Sequence, residues 1–114
     1  IRTYSLVQFD HWTKEPFSSN FRKMLTLEQY RDPEMAKLYQ NYLAEGPISY
    51  MALLFSGITG NSREAKQLAL DFYGPIYLLY SIYDGSEDKQ MVLELLNRRV
   101  ERLKTVIEWH STQK

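Results

Sequence analysis

The stretch Phe72-Tyr73-Gly74-Pro75-Ile76-Tyr77-Leu78-Leu79-Tyr80 decides the fold of this chain, because it sets a glycine and a proline inside a helical pattern that continues on both sides. From Arg63 to Tyr83, apolar residues recur at the 3.6-residue period of an α-helix and occupy two faces of it. One face carries Leu68, Phe72, Ile76, Leu79 and Tyr83, and the other carries Leu70, Tyr73, Tyr77 and Tyr80. Pro75 costs an interior helix about 3 kcal/mol, so we expect packing on both faces to hold this helix together. In a chain of 114 residues, a second copy is one source of the second neighbour.

The amino-acid composition excludes several kinds of functional site and binding partner. The chain has no cysteine, which excludes disulfides, cysteine-based zinc sites and thiol nucleophiles. Fourteen basic residues balance fourteen acidic ones, and no basic cluster exceeds short runs, so we expect poor binding to nucleic acid. The most apolar window, Ile48 to Phe55, is far below the roughly 20 residues of a membrane span. We expect one cytoplasmic domain over residues 1–114 that has no contact with a membrane.

The secondary-structure pattern predicts an all-α fold of five or six helices, since every long segment has helical spacing and hairpin signals are absent. Asp32 and Pro33 form a strong helix start, with an acidic N-cap before a proline at the first helical position. At Gly46-Pro47 we expect a bend within one continuous helix, ended by the loop that contains Gly57 and Gly60. The expected helices are Thr3–Thr13, a segment capped by Ser18 or Ser19 and reaching Tyr30, Pro33–Ile58, a segment capped by Asn61 or Ser62 and covering Arg63–Tyr83, and Glu87–His110.

Three motifs, in this order along the chain, carry a resemblance to a known family. They are the segment from Phe21 to Met35 with its Arg31-Asp32-Pro33-Glu34 helix start, the internal Phe72-Tyr73-Gly74-Pro75, and the turn Tyr83-Asp84-Gly85. Together they resemble the C-terminal domain of a subgroup of TetR/AcrR-family transcriptional regulators, over nearly the whole chain. The resemblance implies a helical domain that dimerises and often encloses a small-molecule effector. It also implies that DNA is bound by an N-terminal helix-turn-helix domain, which these residues do not include.

The resemblance places a homodimer interface on the last two helices, where two helices from each copy form a four-helix bundle. Independently, the Glu87–His110 helix has an apolar stripe wider than one antiparallel neighbour needs, and a two-fold contact supplies a partner. The alternative is that these side chains close the core of a single copy. The interface candidates are Phe72, Ile76, Leu79, Leu96, Val100, Leu103 and Ile107.

Aromatic and methionine residues are candidates for the wall of an effector pocket, because they combine broad apolar surfaces with hydroxyl tips and adaptable thioethers. At helical spacing the same residues also suit a plain core. An apolar or aromatic effector is expected, and an acid such as Asp71 would suit a cationic one. The pocket candidates are Trp12, Phe17, Phe21, Met24, Tyr39, Tyr42, Tyr50, Met51, Phe55, Tyr73 and Tyr77.

No motif in the sequence anchors a catalytic function. His11 and His110 are far apart and have no metal-ligand spacing, and the five glycines form no phosphate-binding loop, so we expect no metal and no cofactor. The interpretation is therefore an effector-sensing and dimerisation domain of a TetR-like regulator, usually a repressor, and not an enzyme. One alternative is a helical protein-interaction or scaffold module. Another is a small helical enzyme that uses Tyr73 and Tyr77.

Overall fold

The computed structural model describes residues 2–112, and the side chains of Arg2 and Ser111 lie outside the described set. Over that range the chain is all-α, as the sequence predicts, and it has no strand. None of its helices combines the length and the apolar character that crossing a membrane requires. The helices are α1 (Arg2–Thr13), α2 (Pro16–Glu28), α3 (Pro33–Leu43), α4 (Glu45–Thr59), α5 (Ser62–Gly85) and α6 (Lys89–Thr112).

Two of the three expected N-caps are confirmed. Asp32 caps α3 by accepting the amide of Glu34 at 2.9 Å, and Asn61 caps α5 by accepting the amides of Arg63 and Glu64. The prediction for α2 is wrong, because Ser18 and Ser19 are buried inside the helix and do not cap it.

The N-cap of α2 is Glu15, whose carboxylate accepts the amides of Phe17 at 3.2 Å and Ser18 at 2.6 Å. Pro16 occupies the first helical position, where its missing amide costs nothing. Hydrogen bonds from Ser18, through its side chain first and its amide second, together with the one from the Phe17 amide, lower the pKa of the Glu15 carboxyl below its ordinary value. A charged Glu15 therefore favours the folded α2.

The expected continuous helix from Pro33 to Ile58 is also wrong. Ala44 leaves helical geometry, with φ −122° and ψ −91°, so the chain forms two helices with a one-residue break. Pro47 then falls in the first turn of α4, where a proline removes no helical hydrogen bond. Gly46 is required at this break because a Cβ atom there would overlap the backbone carbonyl of Asn41.

The chain divides into two compact units, one up to Pro47 and one from Ile48 onward. In the first unit α2 packs against both α1 and α3, and its core includes Phe9, Trp12, Leu25 and Leu43. The Arg22 side chain is buried between α2 and the end of α1, where its Nε donates to the Trp12 carbonyl at 2.9 Å. This contact supplies a donor and a positive charge to the C-terminus of α1, which helix geometry leaves short of donors.

In the second unit α5 and α6 form an antiparallel hairpin that covers most of the unit's length. Near the turn, Lys89 Nζ donates to the Tyr83 carbonyl at 2.6 Å and lies 4.4 Å from the centre of the Tyr83 ring. One of the last carbonyls of α5 is thereby satisfied by the first residue of α6. From α4, Phe55 packs edge-on against Phe72 of α5, with ring centres 6.4 Å apart.

Candidate functional site

The centre of the α5–α6 hairpin is organised by Pro75. A proline has no amide hydrogen, so the carbonyl of Asp71, four residues earlier, lacks its helical donor. Arg99 of α6 supplies the missing donor: its Nη2 donates to the Asp71 carbonyl, and its Nε lies 3.4 Å from the Phe72 carbonyl. α5 consequently remains helical through Pro75, from Ser62 to Gly85. Arg99, which follows Pro75 by 24 residues in the sequence, therefore supplies the hydrogen-bond donor that the proline lacks.

Arg99 is partly buried at this position, and its guanidinium carbon lies 5.7 Å from the centre of the Phe72 ring. The pKa of the guanidinium is lowered from its ordinary value, chiefly because burial penalises the charged form, and the Asp71 carboxylate opposes this shift. Asp71 itself is exposed, and its Oδ1 accepts a hydrogen bond from Gln67 at 2.8 Å. The arrangement is a structural clamp between two helices and has no nucleophile or acid–base pair within it.

Arg99 also separates two recesses along one side of the hairpin. The larger recess has a volume of about 670 Å³ and lies towards the start of α5, the end of α6 and the last turn of α4. Its apolar wall includes Leu68, Phe72, Leu103, Val106 and Trp109, and its polar residues include Glu64, Asp71, Arg102 and His110. The smaller recess, about 340 Å³, is lined by Pro75, Leu78, Leu79, Leu95, Arg98, Arg99 and Arg102. We call these two recesses, which share Arg99 and Arg102 and are open to solvent, the hairpin groove.

The pocket candidates from the sequence do not line the hairpin groove. Six belong to the first unit, and of these Trp12 is buried, whereas Phe17 is 75% exposed. Phe17, Phe21, Tyr42 and Trp12 contact one another in series, with ring centres 5.9–6.4 Å apart, from the exposed Phe17 to the buried Trp12. Met24 is partly exposed beside them, and Tyr39 is half-buried.

The pocket candidates of the second unit form part of its packed interior. Met51, Phe55 and Tyr73 are buried, Tyr77 is half-buried, and Tyr50 is 45% exposed. Tyr77 lies between Tyr73 and Tyr80, with ring centres 6.1 Å apart on either side. For Met51, Phe55 and Tyr73, the plain-core alternative therefore describes their surroundings in the structure.

The interface candidates require a correction. Phe72, Ile76, Leu79, Leu96, Val100 and Leu103 are each at most 7% exposed within one copy of the chain, and only Ile107 is partly exposed. These side chains already fill the core of the single chain, so they are not available to a second copy. The predicted interface thus lies on the inward faces of α5 and α6.

The exposed apolar residues of the hairpin lie on faces that were not predicted to form the interface, although Leu70 was assigned to the second apolar face of α5. On α5 they are Leu70, Leu78 and Ile82, and on α6 they are Met91, Leu95, Val106 and Trp109, with exposures of 37–60%. Their helical spacing is visible in the sequence, but helical spacing alone does not show which of two apolar faces turns inward.

His11 is exposed in the first unit and His110 is half-buried at the end of the hairpin groove in the second. Within the described part of the chain, no group of three or more histidine, aspartate or glutamate side chains is arranged to hold a metal ion. Comparison with known proteins supplies no relative, because no family model, no curated protein and no solved structure matches the chain.

Proposed function

We propose that this chain is an effector-sensing and dimerisation domain of a TetR-like transcriptional regulator, usually a repressor, in which DNA is bound by a helix-turn-helix domain outside these residues. The resemblance of the three sequence motifs motivates the family. The antiparallel α5–α6 hairpin is consistent with the paired helices through which the resemblance implies dimerisation. An effector would shift the dimer between two conformations by binding one of them more tightly than the other.

One observation carries the dimer, and it concerns the outer stripe of α5, which we define as Leu70, Gly74, Leu78 and Ser81. These residues follow one another at helical spacing and point away from the core, with Leu70 53% and Leu78 60% exposed. Gly74 lies at the middle of a 24-residue helix, where glycine costs about 1 kcal/mol relative to alanine. A Cβ atom at Gly74 would meet nothing within 4 Å apart from its chain neighbours, so the only reason for glycine within one copy is local, namely the Pro75 ring, which crowds a Cβ on the preceding helical residue.

Contact with a second copy of the chain would supply a further reason for glycine at position 74. The outer stripe has no charged residue, so the same stripe on a two-fold related copy meets it without like-charge repulsion. Gly74 at its centre would let two α5 helices approach closely, and Leu70 of each copy would then lie near Leu78 of the other. The interface of our proposal is therefore on the outward face of α5, not on the inward residues that the sequence analysis chose.

Sedimentation velocity over a range of protein concentrations tests the proposal. We expect a concentration-dependent monomer–dimer equilibrium in which Leu78→Glu shifts the chain to monomer, because the substitution buries a carboxylate at the two-fold contact. Leu53→Glu is the matched control, since Leu53 is 71% exposed on α4 of the same unit and lies outside the outer stripe. A wild-type chain that is monomeric at all concentrations, or equal loss of dimer in both variants, would refute the proposed interface.

A further inference from the structure

A second surface of the hairpin has a chemistry that a copy of this chain does not match. It runs along α6 through Met91, Leu95, Arg98, Arg102, Val106 and Trp109, which follow one another at intervals of three and four residues and form one stripe of the helix. We call it the α6 stripe. All six residues are exposed, and none of them is acidic.

The charges of the α6 stripe are uncompensated. Arg98 and Arg102 form no ion pair with any described residue, in contrast to Arg99, which is engaged by the carbonyls of α5. The two arginines also line the smaller recess of the hairpin groove, whose remaining walls are Pro75, Leu78, Leu79 and Leu95 together with Arg99. That recess therefore presents cations on an apolar floor, with no carboxylate among its lining residues.

Self-association does not fit this surface. If two α6 stripes met antiparallel about a two-fold axis at their midpoint, Arg98 of one copy would face Arg102 of the other. Like charges that are desolvated together are strongly unfavourable. Glu94 and Glu101 flank Arg98 at one helical turn, on the edge of the α6 stripe, and Glu108 lies further round the helix, so none of them lies on the line along which two stripes would meet.

The order of apolar and charged residues along the α6 stripe indicates which kind of partner can bind there. Met91 to Trp109 span about 27 Å at 1.5 Å per residue, with apolar side chains at both ends and the two arginines in the middle. A single-headed amphiphile carries its charge at one end and does not match this order. The α6 stripe matches a helix that has apolar residues at both ends of one face and two acidic residues near its centre. An open groove between two helices is a common binding site for such a helix.

We propose that the α6 stripe and the adjoining hairpin groove bind an acidic amphipathic helix of a partner protein. Its carboxylates lie against Arg98 and Arg102, and its apolar ends pack on Met91 and Leu95 at one end and on Val106 and Trp109 at the other. Glu64 lines the groove at the Trp109 end, so an acid of the partner placed there would meet a like charge, whereas Asp71 lies beside Arg99 near the middle of the hairpin. This surface shares Leu78 with the outer stripe of α5, because Leu78 lines the smaller recess, and its other residues lie outside that stripe.

The test uses the full chain and two fluorescently labelled synthetic helices of about 20 residues. They share apolar positions spaced to match the α6 stripe, and they carry either two central glutamates or two central lysines. By fluorescence anisotropy we expect the acidic helix to bind and the basic helix to bind at least about tenfold more weakly. We expect Arg98→Ala with Arg102→Ala to weaken binding of the acidic helix by about tenfold.

Two further variants keep the outcome decisive. Lys104→Ala removes an exposed cation from a different side of α6 and should change binding less than twofold. Arg98→Glu with Arg102→Glu should reverse the preference to the basic helix, and a circular dichroism spectrum equal to wild type confirms that this variant folds. Equal binding of both helices, no binding of either, or equal weakening by Lys104→Ala overturns the proposal. A loss of dimer in the double-alanine variant would also overturn it, because the occupant would then be a second copy.

Discussion

The interaction between Pro75 and Arg99 can be tested by a double-mutant cycle. In the wild type, Arg99→Ala removes the donor that replaces the missing amide of residue 75 and exposes the Phe72 ring. Hydrogen bonds to charged groups contribute about 1.5–3 kcal/mol. Because Asp71 is exposed and water can partly replace Arg99, we take the lower end of that range. A further contribution of about 0.5 kcal/mol comes from the contact with the ring, so we expect a loss of about 2 kcal/mol.

In the Pro75→Ala background, the backbone amide restored at position 75 reaches the Asp71 carbonyl, and Arg99→Ala should then cost only about 1 kcal/mol. The expected coupling is therefore about 1 kcal/mol. Pro75→Ala alone should stabilise the chain, by less than the roughly 3 kcal/mol typical of an interior proline, because Arg99 already satisfies the affected carbonyl.

Urea unfolding followed by circular dichroism at 222 nm measures these free energies. Arg102→Ala is the matched control, since Arg102 is one turn from Arg99, also lines the hairpin groove and forms no ion pair with any described residue. It should show no coupling to Pro75→Ala. If Arg99→Ala costs the same in both backgrounds within about 0.4 kcal/mol, Arg99 does not compensate for the proline and the clamp is refuted.

Three further predictions concern the first unit and the break before α4. Gly46→Ala should destabilise the chain by about 1–3 kcal/mol because its Cβ would force backbone apart, whereas Gly57→Ala, at an open helical position, should stabilise it by up to about 1 kcal/mol; thermal unfolding compares the two. Arg22→Ala should cost about 2 kcal/mol in urea unfolding, since it leaves the Trp12 carbonyl without its donor, and a cost near zero would contradict that role. Glu15 has a lowered pKa in the folded chain, so its contribution is present above the ordinary glutamate pKa and is lost as pH falls through the folded value. Glu15→Gln should therefore be less stable than wild type at pH 7, and equal unfolding midpoints at pH 7 would contradict this.

Much of the fold could be predicted from the sequence because its signals are local. The Asp32-Pro33 start and the Asn61 cap depend on residues adjacent in the chain, and both are confirmed. The start of α2 was misassigned because serine is a common N-cap and glutamate is not, although Pro16 at the first helical position was an available signal.

The candidate site could be predicted only in part, because it depends on contacts distant in the sequence. Pro75 was identified, but its partner Arg99 lies on the next helix, and nothing in the spacing of charged residues marks it as different from Arg98 or Arg102. The interface residues were misassigned for a related reason. α5 is apolar on several sides, so periodicity predicts a helix without showing which of its faces a single copy buries.

Because the chain has no native cysteine, one introduced cysteine tests most directly whether two α5 helices meet at their outer stripes. Gly74→Cys places a thiol at the expected two-fold axis, and a disulfide forms only when the two Cα atoms come within about 7 Å. Under mild oxidation we expect a rapid, near-complete covalent dimer of Gly74→Cys, whereas Leu53→Cys, at another exposed position on α4, should link slowly. Equal rates for the two variants, or no covalent dimer from Gly74→Cys, would contradict a dimer formed through α5.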